Sequence, residues 1–430
     1  MINLTEKNLT RIREQKIECL ASTPIEIYPF YTGLNLANIP TSICKWFNIP
    51  APENIYLDIP EPPIETKQIK NIILLLIDGL PFKRMQDWLE NGCQKNLSSP
   101  LWAKIKAEGL LTPLTSVAPS TTANALTSLW TGRMPAEHGV IGYELFLQEL
   151  GITLNMILQV QVYPQINDPT PINPAFRDGF LPVPTFGGHF EKYGIQPFAF
   201  QEETLCNSGL SQMLLSDVQK VPFNSLHDMW QKVNALLDTS DSRRKYIYIY
   251  WGEIDTLSHH EGPNSPLVLQ AWQLFNQTLQ NFLSERMHSM KSDTLFLITS
   301  DHGQIPTLLD SRYDVRFDQE FMQMLEIPPS GESRFPYLFI KPTKIHICQE
   351  YIEQRWPGEF TLFPSEKLIT SSLFGKKIMT PLIRSRLGNY AALPKGNAFW
   401  WWANKENRLL GRHGGFSKEE MIIPFFLLPL

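Results

Sequence analysis

At 430 residues, 43% hydrophobic and 19% charged, the chain has the composition of a globular protein, long enough for one large domain or a large domain carrying a smaller one. Its 38 Lys and Arg against 43 Asp and Glu leave a net charge of −5 with no long run of one sign, which argues against an extended nucleic-acid or anionic-membrane surface. Small phosphorylated ligands stay open, because a metal site supplies local positive charge whatever the net balance.

In chain order, residues 1–68 begin with a polar helical stretch and end in the proline-rich APENIYLDIPEPPIETK. They are expected to form an extended lead-in wrapped on the surface, since prolines remove backbone donors and break regular elements. The N-terminus is too polar for a signal peptide, and no apolar stretch approaches the ~20 residues needed to span a bilayer, so a cytoplasmic location is expected. Five scattered cysteines (Cys19, Cys44, Cys93, Cys206 and Cys348), none in CxxC spacing, fit reduced thiols.

Asn71 to Ile77 is the first core strand, an unbroken apolar run of the kind buried on both faces of a parallel sheet. Helices are expected at Pro81 to Glu90 and Thr122 to Trp130, then helix, Gly stop and strand over 185–200. Ser225 to Leu237 and Pro266 to Phe282 read as helices flanking a strand at Tyr246 to Tyr250, followed by a strand at Thr294 to Thr299. The apolar MIIPFFLLPL, with two prolines, reads as a buried strand. This alternation predicts an α/β fold, a doubly wound, mostly parallel sheet flanked by helices, with its site outside the carboxyl ends of the strands. The core is assigned to 69–304 and 408–430, and 305–407 to an inserted α+β cap. Residues 143–184, rich in proline and amide, look like an excursion over the site. The Phe399–Trp402 run is expected to be a packed strand rather than a platform for a base.

Four segments end an apolar run with metal donors: Asp78 in NIILLLIDG, Asp255 and His259 in KYIYIYWGEIDTLSH, Asp301 and His302 in TLFLITSDHG, and His413 in GRHGG. Oxygen and nitrogen donors delivered from several strand ends are what a site for two divalent cations requires. Asp255 and His259, four apart, share one face if the chain turns helical there. A fifth segment, SVAPSTTANALTSLWTG, offers the hydroxyls of Ser120, Thr121 and Thr122, whose alternative role is helix capping. His138 reads as a structural or supporting group, and His260 more often as a histidine making a core hydrogen bond than as a ligand.

The order Asp-Gly, then S-x-x-T-G-x-x-P-x-x-H-G, then D-x-x-x-H-x-x-G-P, then S-D-H-G and a late H-G resembles the alkaline phosphatase superfamily, and within it the nucleotide pyrophosphatase/phosphodiesterase branch. The matching blocks cover about 71–142, 245–263, 294–304 and 408–425. The resemblance implies that Asp255, His259 and His413 hold one ion and Asp78, Asp301 and His302 the other, zinc in this family with manganese or iron left open. In that branch the nucleophilic Thr stands nine residues before the Thr of the T-G pair, which is Thr131 here; this selects Thr122, also a metal ligand. The implied activity is hydrolysis of a small phosphoester, with a nucleotide among the candidates, through a phosphothreonine intermediate.

Many enzymes of the branch place an Asn after the PxxHG block to hold a phosphate oxygen, but HGVIGYE puts Tyr143 near that place. Asn124 and the Tyr143 hydroxyl are the candidate substitutes. No Arg stands where classical alkaline phosphatases clamp phosphate, which favours diesters. A phosphomonoesterase and a phosphonate hydrolase are the alternatives within the superfamily. A sulfatase is disfavoured, since no Cys or Ser has the context for a formylglycine nucleophile. An inactive binding protein with this fold would have lost a ligand or the hydroxyl, and none is missing.

Overall fold

A computed structural model describes residues 2–90, 108–163, 174–287, 293–375 and 381–430. Eight strands form the central sheet in the order Ile2–Asn3, Leu110–Thr115, Ile422–Pro429, Thr294–Thr299, Asn71–Ile77, Arg244–Trp251, Ile195–Glu202 and Gln219–Phe223. Every pairing is parallel except those of Ile422–Pro429, which lies antiparallel between Leu110–Thr115 and Thr294–Thr299. The expected α/β architecture is therefore the observed one.

The unbroken apolar runs are explained by burial on both faces. Ile72, Leu74 and Leu76 pack on the side of the helices Ile39–Trp46, Thr122–Thr131 and Phe186–Lys192. The alternate residues Ile73, Leu75 and Ile77 pack on the side of Leu226–Leu237 and Pro266–Met287, against Trp230, Trp272, Phe275 and Phe282. Each such Ile or Leu contributes on the order of 2 kcal/mol by leaving water. Among the described residues no helix is long and apolar enough to cross a membrane.

The first 68 residues depart in part from expectation. Thr5–Glu14 is the expected polar helix, but Ile2–Asn3 extends the central sheet, and Ile39, Ile43 and Trp46, spaced along one helix face, are buried in the larger core. The reading as a surface lead-in gave the prolines too much weight: they govern only the irregular stretch near 49–65, whereas the 3–4 spacing before it supplies core.

A second, six-stranded antiparallel sheet has the order Phe360–Pro364, Tyr390–Pro394, Phe335–Leu338, Ser330–Glu332, Glu144–Leu147 and Ile152–Asn155. The region expected as a cap at 305–407 thus shares its sheet with part of the 143–184 excursion. The segment Phe399–Trp402 is packed but not a regular strand: Trp400 stacks on Phe360 at 4.3 Å between ring centroids and lies 5.1 Å from Trp356. Cys19, Cys44, Cys206 and Cys348 are free thiols, and Cys93 lies outside the described residues.

Candidate active site

The donors converge at the carboxyl end of the central sheet. Asp78 follows Ile77 directly, and its amide donates to the Trp251 carbonyl at 3.0 Å, extending the ladder by one residue. Gly79 then turns at φ +71°, where a Cβ would lie 2.8 Å from that of Asp255. Only glycine allows both the turn and this close approach of two acidic segments. Asp255 and His259 occupy one face of the helix Glu253–Glu261, with His259 Nε2 3.4 Å from Asp255 Oδ2. Gly303 is equally constrained, since a Cβ there would sit 2.0 Å from the Glu419 carbonyl.

Two groups of potential ligands result, Asp78/Asp301/His302 and Asp255/His302/His413, with the donor atoms of each within 4.8 Å of one another. His302 stands between the groups: its Nε2 is 3.4 Å from both Asp78 Oδ1 and Asp301 Oδ2, and its ring stacks on His413 at 3.8 Å between centroids. The sequence expectation placed His259 in the second set and His302 only in the first. In the structure His259 joins that set through Asp255 and lies 5.2 Å from the His413 ring.

Three local features suit these side chains to cations. The Nδ1 atoms of His259, His302 and His413 lie 2.9, 3.2 and 3.0 Å from the carbonyls of Gly411, Gly303 and Ser120. A carbonyl only accepts, so each Nδ1 carries the hydrogen and each Nε2 keeps a lone pair facing the cluster. Asp78 Oδ1 and Asp301 Oδ2 are buried without a hydrogen-bond partner, an arrangement that a cation would relieve. Burial holds His302 down at about 4 and His413 at about 3, in the neutral form that ligates. Burial, reinforced by the other site carboxylates, raises Asp78 well above its ordinary value and Asp301 to about 6. Asp255 is half-buried; burial pushes it up, but the facing His259, ahead of His413 and His302, outweighs that and holds it below its ordinary value.

Thr122 opens the helix Thr122–Thr131, and its Oγ1 lies 3.0 Å from His302 Nε2. The other two hydroxyls are turned elsewhere: Ser120 donates to the Gly415 carbonyl at 2.8 Å, and Thr121 faces the Glu332 carboxyl. Thr121 is the residue preceding the helix, yet makes no side-chain cap, so capping does not account for the run. The free N–H groups of that helix end offer positive potential to an anion.

Asn124 and Tyr143, the candidates for holding a phosphate oxygen, both have partners within the protein. Asn124 is fully buried, and its amide donates to the Pro119 carbonyl at 2.9 Å, so its donor braces the turn before Thr122. Tyr143 is half-buried, with its amide on Glu332 Oε1 at 2.7 Å and its hydroxyl hydrogen-bonded to Asn155. His138 is structural: Nδ1 accepts from the Val140 amide and Nε2 donates to Ser128, pinning the Thr122–Thr131 helix to the next turn. His260 is exposed and belongs to neither ligand group.

Several supporting residues escaped the sequence reading. Tyr250 donates its hydroxyl to Asp78 Oδ2, and Gln304 donates to the Asp255 side chain and carbonyl. Arg334 forms a two-pronged pair with Glu420 at 2.9 and 2.8 Å, while Glu420 also accepts from the Gly415 amide and, through its carbonyl, from that of Gly303. Burial lifts Glu332 to about 8 against the hydrogen bonds from Thr121 and Tyr143. A hydroxyl at every second position of the Tyr246–Tyr250 strand, and an amide directly after S-D-H-G, were the available signals for Tyr250 and Gln304.

Residues 72–354 match the model of the type I phosphodiesterase/nucleotide pyrophosphatase family. The chain belongs to this family. This phosphodiesterase is a hydrolase of the nucleotide pyrophosphatase/phosphodiesterase kind within the alkaline phosphatase superfamily, as its motifs suggested. No curated protein matches it by sequence. Among solved structures, it is similar to murine ectonucleotide pyrophosphatase/phosphodiesterase 5 in an inactive form in complex with AMP, at 16% identity and a TM-score of 0.57, over 83% of this chain and 87% of that one. The human counterpart gives 16% identity and 0.56, with the same coverage of each chain. At that identity the likeness of this phosphodiesterase to them is one of fold.

Proposed function

We propose that this phosphodiesterase cleaves phosphodiester or pyrophosphate bonds of nucleotides by way of Thr122, with two divalent cations, zinc by preference, held by Asp78, Asp301 and His302 and by Asp255, His259 and His413. The observation that carries this reading is the Thr122 hydroxyl 3.0 Å from Nε2 of His302, the residue common to both ligand groups. When bound, such ions acidify a coordinated hydroxyl or water and neutralise charge on phosphoryl oxygens.

The chain supplies the rest. The Thr122 hydroxyl gives up its proton as its oxygen forms the new bond to phosphorus, the bond to the leaving oxygen breaks and that oxygen takes up a proton, and a phosphothreonine still esterified to the remaining half of the substrate results. The helix beginning at Thr122 directs N–H groups at the nonbridging oxygens. Water then attacks the same phosphorus, the Thr122 oxygen leaves and recovers its proton, and a phosphomonoester departs.

Two arginines near the site are committed elsewhere. Arg334 pairs with Glu420, and Arg412 donates to the Leu409 carbonyl and lies 3.7 Å from the Phe399 ring centroid. This favours a singly charged diester over a dianionic monoester. The AMP complex of the murine neighbour supports a nucleotide as the group recognised.

The test is an assay of a nitrophenyl phosphodiester, its monoester and a sulfate ester, with metal analysis of the purified protein. The expected result is two zinc ions per chain and zinc-dependent cleavage, fastest for the diester. No cleavage of any of the three, or unchanged cleavage by Thr122→Ala, sinks the reading.

A further inference from the structure

Glu332 ends the strand Ser330–Glu332 of the six-stranded sheet, yet it is only 6% exposed and its carboxyl reaches the active site. Three contacts fix it. Its Oε1 accepts from the Tyr143 amide at 2.7 Å, and its carboxyl faces the hydroxyl of Thr121, the residue before the nucleophile. Its stem lies against Gly414, the residue after His413, where a Cβ would come within 2.7 Å of Glu332 Cβ and 2.8 Å of Cγ. Gly414 has φ +103°, so the turn that presents His413 and the space for Glu332 both depend on that glycine.

A buried carboxyl costs several kcal/mol unless its hydrogen bonds are made, and an apolar residue would fill such a place in a core at less cost. Its presence between the nucleophile turn, the Tyr143 turn and the His413 loop calls for a role at the site. We propose that Glu332 is a positioning residue for this hydrolase: through the Thr121 hydroxyl and the Gly414 backbone it sets the Thr122 oxygen relative to His413 and the ligand groups. The inference rests on the function proposed above, with Thr122 as nucleophile. It gives the second sheet a part in catalysis, because Glu332 is carried by a strand paired on one side to Phe335–Leu338 and on the other to Glu144–Leu147. A displacement of the attacking atom by about 1 Å is enough to cost about 100-fold in rate.

The test uses the full, metal-loaded chain and the diester. Glu332→Ala is expected to lower kcat about 100-fold, with KM within about threefold and metal content unchanged. Glu332→Gln keeps one acceptor for the Tyr143 amide and offers an N–H to the Thr121 oxygen, so it should restore kcat to within about threefold of wild type. Thr121→Val, nearly isosteric, should by itself lower kcat about tenfold and add nothing in the Glu332→Ala background. If Glu332→Ala does not fold, the Thr121→Val and Glu332→Gln results decide. The proposal is overturned by a Glu332→Ala kcat near wild type, by full additivity of the two substitutions, by a Thr121→Val effect under twofold, or by Glu332→Gln falling as far as Glu332→Ala. With wild type active and Thr122→Ala dead, these outcomes sink this inference alone; a wild type that cleaves nothing sinks the function beneath it.

Discussion

The two halves of the metal site differ in their access to water. Asp78, Asp301 and His302 keep 3%, 0% and 0% of their side chains exposed, whereas His259 and Asp255 keep 21% and 15%. The first half is sealed beneath the strand ends and touches Thr122 through His302; the second lies on a helix facing outward. On the function proposed above, the closed half would fix the attacking hydroxyl, and the open half would be where leaving group and water enter and depart.

The largest expected effect tests the link between the halves. Thr122→Ala should lower kcat by at least about 10³-fold while metal content stays at the wild-type value, because the hydroxyl is only one ligand among several. Metal lost together with activity would show that the halves depend on Thr122 for their integrity. Next, Asp301→Asn should empty the closed half and lower activity more than His259→Ala does in the open half, where about 10- to 100-fold is expected. Equal losses, measured by kinetics and metal counts together, would erase the distinction.

A smaller effect is expected from Tyr250→Phe, which removes the donor to Asp78 Oδ2: metal affinity in chelator competition should weaken about tenfold, with kcat at saturating metal nearly unchanged. The smallest concerns pH. Burial raises Asp301 from 3.8 to about 6 and lifts Asp78 as well, so the metal-free folded chain holds protons that the unfolded chain has released. That contribution to stability is fully present below about pH 4 and is lost as pH rises through about 6 and above. Metal removes the need for these protons. The Tm gap between loaded and chelated protein should therefore widen from pH 5 to pH 8, and a constant gap would show that these carboxyls do not govern the closed half.

Much of the catalytic sheet could be read from the sequence because parallel strands buried on both faces must be continuously apolar, and the donors sit where those runs stop. Asp78 and Asp301 were visible for that reason. The second sheet was harder: its strands are three to five residues long and come from segments nearly 200 residues apart, so no local period marks them as neighbours. Glu332 went unread on the same ground, since its partners Thr121, Tyr143 and Gly414 are distant in sequence. Asn124 stands beside Thr122 in sequence, and only the structure shows that its amide reaches the Pro119 carbonyl. The division of histidines between the ligand groups depended on side-chain placement, which motif order does not contain.

The strand Ile422–Pro429 joins Leu110–Thr115, which leads to the nucleophile, to Thr294–Thr299, which leads to Asp301 and His302. Without it these two neighbours would have no common ladder, and hydroxyl and ligands would not share a frame. A partly folded chain therefore has no partial active site. Turnover through Thr122 would therefore have to wait until segments separated by hundreds of residues have docked.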